Sequence, residues 1–504
     1  MARLDINIGH WVRKNAQIYG DKAALKSGAR SLSYRQLAER MNRLASSMRK
    51  MGLQKGDRVA LYLLNGVDYV EAVFACSAMG LLAVPLNWRL GFPEMSFISK
   101  DCEPTLMLYH RCFSEKAKRL QDERPEMTLL ELAEDGGASS YETFLAQGEN
   151  VDAVDPTVGG DDAHLIMYTA GTTGDPKGVV LTHANCFWQS VNGWSLGAGP
   201  DTVALCILPL FHVGGLNGSV TPMIHIGATC VLPPKFDVVD TLELVERERV
   251  TGMVAVPAVY QMLYDHPRFA STDLSTCRVF LSGGAPLSYD LIRKFHERGL
   301  EFRQGYGLTE TSPGATGMGP GECLNKAGTA GRPVLYVDIR IVDDAGQELP
   351  TGESGEVIIR GPNVMKGYWK RPEETAKAIR DGWFYSGDIG FLDEDGYLTL
   401  VDRKKDMIIS GGENVYPAEI EKLLAGMPAV ADVAVVGKSD PKWGEVPVAF
   451  VVCREGMSLQ ADEVVRYCDE HLARYKVPRD VRLISALPRN AAGKLIKAEI
   501  KKLL

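Results

Sequence analysis

The sequence predicts an α/β protein of layered, mostly parallel sheets with flanking helices, followed by a β-rich stretch and a small α+β domain. Three observations predict this. Apolar segments of strand and helix character alternate through most of the chain. After Gly331 they give way to short strand-like runs separated by Gly, Pro and Asp. The charged run DRKKD at 402–406 then precedes a last segment with its own strand and helix pattern.

The elements follow in order. SYRQ at 33–36 has capping-box spacing, so a helix opens after Ser33 and stops at Gly52. The run 58–63 reads as a buried strand, a helix follows from Val67 to a stop at Gly80, and 81–85 is the next strand. Further strands are expected at 164–168, 203–208, 229–232, 252–256 and 279–281, a rhythm that favours parallel pairing. Beyond Gly331, 334–342, 355–361 and 397–401 read as strands between turns. The run 402–406 lies between two apolar segments and suits a hinge, which gives expected domains 1–401 and 407–504 on either side.

Bulk properties bound the function. The chain has 504 residues, 45% hydrophobic and 24% charged, as in an ordinary globular protein with an ample core. A formal net charge of -8 speaks against a uniformly basic nucleic-acid binder, so any anionic substrate must be met by local cations. Ten cysteines form no C-x-x-C pair and read as buried small hydrophobes in a reducing compartment. No signal-like apolar run opens the sequence, no stretch of about 18 apolar residues occurs, and the IKKLL end is not a peroxisomal address, so a cytoplasmic location is expected.

The strongest local signal is YTAGTTGDPKGVV at 168–180. An apolar strand runs into a loop carrying Gly171, Thr172, Thr173, Gly174, Lys177 and Gly178, and another apolar segment follows. Glycines let backbone N–H groups converge on an anion, while hydroxyls and a lysine add donors. The G-x-x-x-x-G-K-S/T spacing of a Walker loop is absent, and on composition alone a plain glycine-rich turn stays open.

The stretch 169–178 resembles the phosphate loop of the adenylate-forming superfamily, which includes acyl-CoA synthetases, luciferases and peptide-synthetase adenylation domains. Further motifs stand in that family's order: PLFH at 209–212, SGGAP at 282–286, QGYGLTE at 304–310, YSGD at 385–388, DRKKD at 402–406, GGEN at 411–414 and PRNAAGK at 488–494. Ala170 and Ser386 stand where serine and threonine are usual, two mild departures. In overall look the chain is similar to bacterial fatty acid–CoA ligases.

The resemblance implies a large N-terminal domain with a small β-barrel-like part, a mobile C-terminal domain, and two reactions. A carboxylate attacks the α-phosphate of ATP to give acyl-AMP and pyrophosphate, and the acyl group then passes to coenzyme A. Bringing two anions together calls for positioning and positive charge rather than a protein nucleophile. The implied nucleotide site comprises Thr169, Gly171, Thr172, Thr173, Gly174, Lys177, the strip Gly283, Gly284 and Ala285, then Gln304, Gly305, Tyr306, Gly307 and Thr309, with Asp388 and Arg403 on the ribose. Glu310, with Thr173, would hold Mg²⁺, an ion that suits one carboxylate plus phosphate oxygens and waters. Lys494 would bridge carboxylate and phosphate during adenylation, Lys405 would be the hinge, and Gly411, Gly412 and Glu413 would line the coenzyme A tunnel. His212 would border the acid, in a pocket formed with Val213, Gly214, Gly215, Val256, Gly307 and Leu308.

Taken singly, most of these residues have ordinary readings: Glu310 as a surface acid, Tyr306 as a core aromatic, Asp388 as a turn residue, His212 as a structural histidine. The expected substrate is a medium- or long-chain fatty acid. The alternatives are an aryl or short branched acid, and loading of a carrier protein. Peripheral membrane contact and a homodimer stay open. The pattern GWSLG at 193–197 matches a nucleophile elbow around Ser195, but a helix-like segment precedes it where a hydrolase needs a strand. The glycines at 317–321 fail dinucleotide spacing, and neither H-E-x-x-H nor C-x-x-C is present to suggest zinc.

Overall fold

The computed structural model describes residues 6–169, 176–194, 197–403, 406–410, 413–440, 443–472, 474–489 and 495–504; of Asp135, Trp194, Arg403, Ile409, Glu413 and Asn414 it describes the backbone alone. The chain divides into two compact units, Met1–Ile339 with Ile359–Phe384, and Arg340–Ile358 with Tyr385–Leu504. This division by packing lies elsewhere than the expected division at 401/402, because the β-rich strands group with the C-terminal segment. It passes through the strands Asp338–Val342, Gly355–Arg360 and Trp383–Leu392. The expected hinge concerns backbone motion, and Lys405 lies outside the described residues.

Among the described residues, the first unit contains two seven-stranded sheets. One runs in the order Phe302–Gln304, Val279–Ser282, Gly252–Ala255, Val203–Leu205, Thr229–Val231, Ala23–Ser27, Arg30–Ser33. The other runs Gly367–Tyr368, Lys177–Thr182, Ala163–Thr169, Leu82–Pro85, Arg58–Tyr62, Leu106–His110, Thr128–Leu132. Pairing is mostly parallel, with Arg30–Ser33, Lys177–Thr182 and Gly367–Tyr368 antiparallel to their neighbours.

The helices form for the reasons read from sequence. Ser33 caps Tyr34–Lys50, its hydroxyl accepting from the Gln36 N–H while the Gln36 side chain accepts from the Ser33 N–H. Leu37, Met41, Leu44 and Met48 of that helix form a buried stripe at helical spacing. Val67–Met79 buries every residue except Asp68, as expected of a helix apolar on all sides, and ends on Gly80 at φ 71°. Tyr260 packs edge-on against Phe280, Phe295 and Phe302 at 4.7–5.8 Å between ring centres, in a core where each buried aromatic contributes about 1.5–3 kcal/mol.

Two expected strands are shorter than read. The strand at 203–208 ends at Leu205, where Leu208 precedes Pro209 and the chain turns into PLFH. The run 334–342 is a strand only over Asp338–Val342, since Leu335 and Tyr336 face solvent. The cysteines Cys76, Cys102, Cys186, Cys206, Cys230, Cys323 and Cys468 are buried as expected, whereas Cys112 is exposed, its Sγ beside His110 Nδ1 at 2.9 Å.

In the second unit, Trp383–Leu392 pairs antiparallel with Leu398–Arg403. A further sheet runs Glu413–Val415, Ile408–Ser410, Gly444–Cys453, Val430–Asp440, with Asp480–Leu483 parallel to Gly444–Cys453. The helices Pro417–Ala425 and Ala461–His471 cover a core of Ile420, Leu424, Val435, Val451, Val464 and Cys468. No helix among the described residues is long and apolar enough to cross a membrane.

Candidate active site

The glycine-rich loop connects two antiparallel strands. Thr169 pairs with Lys177 across the hairpin, so the loop leaves and rejoins one sheet at a single point. Ala170, Gly171, Thr172, Thr173 and Gly174 lie outside the described residues. Beside the hairpin, Gly367–Tyr368 pairs antiparallel with Lys177–Thr182, Tyr368 opposite Val179, and the Trp369 N–H donates to the Gly178 carbonyl at 2.7 Å. Lys177 pairs with Glu374, and its Nζ lies 5.6 Å from the centre of the Tyr368 ring.

The second strip comes from the C-terminal ends of three neighbouring parallel strands, the edge at which open α/β sheets bind ligands. Ala255 is level with Ser282, and Ser282 with Gln304. Val256, Gly283 and Gly305 therefore emerge side by side, with the Gly305 N–H donating to the Ser282 carbonyl at 3.0 Å and the Gly283 N–H to Ala255 at 3.3 Å. Gly284 takes φ +79°, a left-handed turn that favours glycine, beside Val256 Cγ1. Gln304 is a strut here: its Oε1 accepts from the Leu287 N–H at 2.9 Å and its Nε2 donates to the Thr329 carbonyl at 2.8 Å. Its amide is thus engaged by protein, and its place in the expected nucleotide site is as support. Tyr306 is half-buried, its carbonyl accepting from Ala315 and Thr316.

After Tyr306 the chain folds back on itself. Gly307 bridges to Gly314, and a Cβ at Gly307 would lie 1.6 Å from the Pro313 carbonyl oxygen. The turn Thr309–Thr311 is enclosed by this loop, with Leu308 donating its N–H to Thr311 Oγ1 at 2.9 Å. Ser312 takes φ 70°, a left-handed conformation uncommon outside glycine, and its hydroxyl donates to the Asn363 carbonyl at 2.7 Å. Gln189 Oε1 accepts from the Gly314 N–H at 3.0 Å. Glu310 is held twice: its carbonyl accepts from the Met365 N–H at 2.8 Å, and its Oε1 accepts from the Tyr368 hydroxyl at 3.0 Å.

His212 lines a cavity of about 50 Å³ with Tyr168, Thr169 and Pro176. Burial, helped by Arg89, lowers its pKa to about 4, so the ring is neutral near pH 7, and its Nε2 is buried without a hydrogen-bond partner among the described residues. Such an atom suits a ligand better than solvent. Val213–Gly215 is a helical turn that runs on as a π-turn over Leu216–Val220, an irregularity common at functional sites. Gly215 is required by packing, since a Cβ there would lie 2.2 Å from the Pro209 carbonyl oxygen, whereas at Gly214 the nearest atom is Leu208 Cδ1 at 3.6 Å. Of the two glycines, Gly214 is the one that leaves room.

In the second unit Asp388 is buried and directly opposite Arg403 on the neighbouring strand. Its N–H donates to the Ser386 hydroxyl at 3.0 Å, which itself donates to the Val357 carbonyl at 2.6 Å. Glu413 is paired with Ser410. Lys405, Gly411, Gly412 and Lys494 lie outside the described residues, as does Ser195. The helix His183–Trp194 precedes Ser195, so a strand-to-helix nucleophile elbow is not built there.

Tyr368, Glu374, Asn363 and Gln189 were not singled out from sequence. A cue existed in the aromatic and charged run MKGYWKRPEE at 365–374, but the contact of Tyr368 with Glu310 joins positions 58 residues apart and has no local signature.

The AMP-binding enzyme family model matches residues 12–369, and the AMP-binding enzyme C-terminal domain model matches 419–494. The chain is 42% identical to an indoleacetate–CoA ligase of Aromatoleum aromaticum, over 99% of this chain and 98% of that protein. It is 42% identical to a feruloyl-CoA synthase of an Amycolatopsis species, over 98% of each. The structure of a Mycobacterium tuberculosis fatty acyl CoA synthetase superposes with a TM-score of 0.81 at 36% identity, covering 99% of this chain and 98% of the other.

Proposed function

The chain belongs to the AMP-binding enzyme family, and on that premise we propose that it activates an aromatic-substituted carboxylic acid as its acyl-AMP and transfers the acyl group to coenzyme A. It is an acid–CoA ligase that uses ATP, Mg²⁺ and coenzyme A. The observation that carries the choice of acid is its 42% identity, over nearly the whole chain, to two ligases named for aryl acids. The fatty-acid reading rests on the likeness to the fatty acyl CoA synthetase.

In the proposed reaction the strips 283–285 and 305–306 lie along the adenine, and Asp388 with Arg403 holds the ribose. Thr169, Lys177, Thr309 and the loop 171–174 meet the phosphates. His212 presents a neutral ring to the acid, its Nε2 without a hydrogen-bond partner among the described residues, and so orients the carboxylate. Lys494 supplies the cation between carboxylate and α-phosphate. Glu310, a single carboxylate held by backbone and side-chain contacts, would hold Mg²⁺, an ion that suits one carboxylate beside phosphate oxygens and water. When bound, that ion neutralises phosphate charge as pyrophosphate leaves. Coenzyme A thiol then attacks the acyl carbonyl and AMP departs.

The test is AMP release dependent on coenzyme A, measured across arylacetic, arylpropenoic and C8–C16 fatty acids. An aryl acid is expected to exceed every fatty acid in kcat/KM by on the order of 10²-fold. The reverse order would replace the aryl reading with the fatty-acid one.

A further inference from the structure

The segment Met365–Glu374 grips the loop that bears Glu310 and the hairpin that bears Lys177. The Met365 N–H donates to the Glu310 carbonyl at 2.8 Å, and the Tyr368 hydroxyl donates to Glu310 Oε1 at 3.0 Å. Tyr368 is itself fixed by pairing with Val179 and by its N–H, which donates to Thr375 Oγ1 at 2.9 Å. The ring is half-buried beneath Lys177, whose Nζ is 5.6 Å from the ring centre. One side chain thus carries a carboxylate on its hydroxyl and the phosphate-loop cation over its ring.

We propose that Tyr368 is a positioning residue for adenylation, orienting the Glu310 carboxylate toward the metal of the metal–ATP complex. This rests on the reading of Glu310 as the metal-binding acid. A carboxylate free to rotate loses part of its affinity to conformational entropy, whereas one hydrogen bond to a charged group restricts it and is worth tenfold or more. Glu374 completes the arrangement by pairing with Lys177.

The experiment is calorimetric ATP binding to the full chain with and without Mg²⁺, for wild type, Tyr368→Phe, Glu310→Gln and the double variant, each checked for folding by circular dichroism. Tyr368→Phe keeps the ring and removes only the hydroxyl. It is expected to reduce the Mg²⁺-dependent gain in ATP affinity by about tenfold, to leave ATP binding without Mg²⁺ near wild type, and to add nothing to Glu310→Gln. A merely structural role would weaken binding equally with and without Mg²⁺. An unchanged Mg²⁺ gain in Tyr368→Phe beside a reduced one in Glu310→Gln overturns the Tyr368 proposal and spares the metal reading. An unchanged gain in Glu310→Gln overturns both.

Discussion

Asn363 holds Gly314: its side-chain Nδ2 donates to the Gly314 carbonyl at 2.6 Å and, from the same nitrogen, to the Thr311 carbonyl at 2.7 Å. Asn363 is fully buried, and its own carbonyl accepts from Ser312. One amide therefore closes the turn that presents Thr309 and Glu310. Asn363→Ala strands one buried and one half-buried carbonyl and is expected to cost about 1–3 kcal/mol of stability. Asn363→Asp, which turns a carboxylate toward both carbonyls, should cost more. Denaturant unfolding checks both, and KM for ATP should rise in each. Wild-type stability in either variant would contradict the role given to the amide.

The glycines of the proposed acyl wall should separate by geometry. At Gly307 a methyl group meets the Pro313 carbonyl oxygen at 1.6 Å, which no rotamer relieves, while at Gly214 it meets only Leu208 Cδ1 at 3.6 Å. Gly307→Ala should displace the loop and cost about 1–3 kcal/mol, the range typical of overpacking. Gly214→Ala should keep near-native stability and lower kcat/KM for bulky acids more than for small ones. Thermal melts and the acid panel read the two effects apart. A stable Gly307→Ala with normal kinetics would sink the close-contact argument.

Buried histidines set the acid side of stability. Burial lowers His183, His212 and His225 to about 4 and His164 well below its usual value. Above pH 6.5 they are neutral folded or unfolded and contribute no pH dependence. Between about 6.5 and 4 the unfolded chain takes up protons that the folded chain refuses, so stability falls as pH falls, by about 1.4 kcal/mol per pH unit for each histidine. Glu71 acts oppositely: burial outweighs Arg40 and raises its carboxyl to about 7, so it favours the folded state as pH falls from 7 to 4.5. Burial also lowers His110 and raises Glu421, so five histidines stand against two glutamates and leave a net loss on acidification. The melting temperature should therefore drop between pH 7 and pH 5, and a flat or rising profile would contradict the buried neutral state.

Lys494, assigned by resemblance, should divide the two half-reactions. An ammonium between carboxylate and α-phosphate stabilises charge that builds only during adenylation, and removing such a donor typically costs on the order of 10²–10³ in rate. Lys494→Ala is expected to lose acyl-AMP formation by that factor while still converting supplied acyl-AMP and coenzyme A to thioester. Paired single-turnover assays, one from ATP and acid and one from synthetic acyl-AMP, read the two steps. Equal loss in both would remove the adenylation-specific role.

The alternation of segments, the capping box at Ser33, the stop at Gly80 and the ordered motifs were legible in the sequence because each is local: hydrophobic period, cap chemistry and motif spacing act within a few residues of themselves. The same local signals determined the family and, with it, the ligase chemistry. What only the tertiary structure decided is which residues stand together. Sequence alone did not show that Gln304 spends its amide on Leu287 and Thr329, that Gly215 and Gly307 are glycines because backbone carbonyls press on them, or that Tyr368 and Asn363 hold the Glu310 turn. Those contacts join segments brought side by side by strand order and loop reversal, and a pairing formed by topology leaves no periodic or spacing signature at either of its ends.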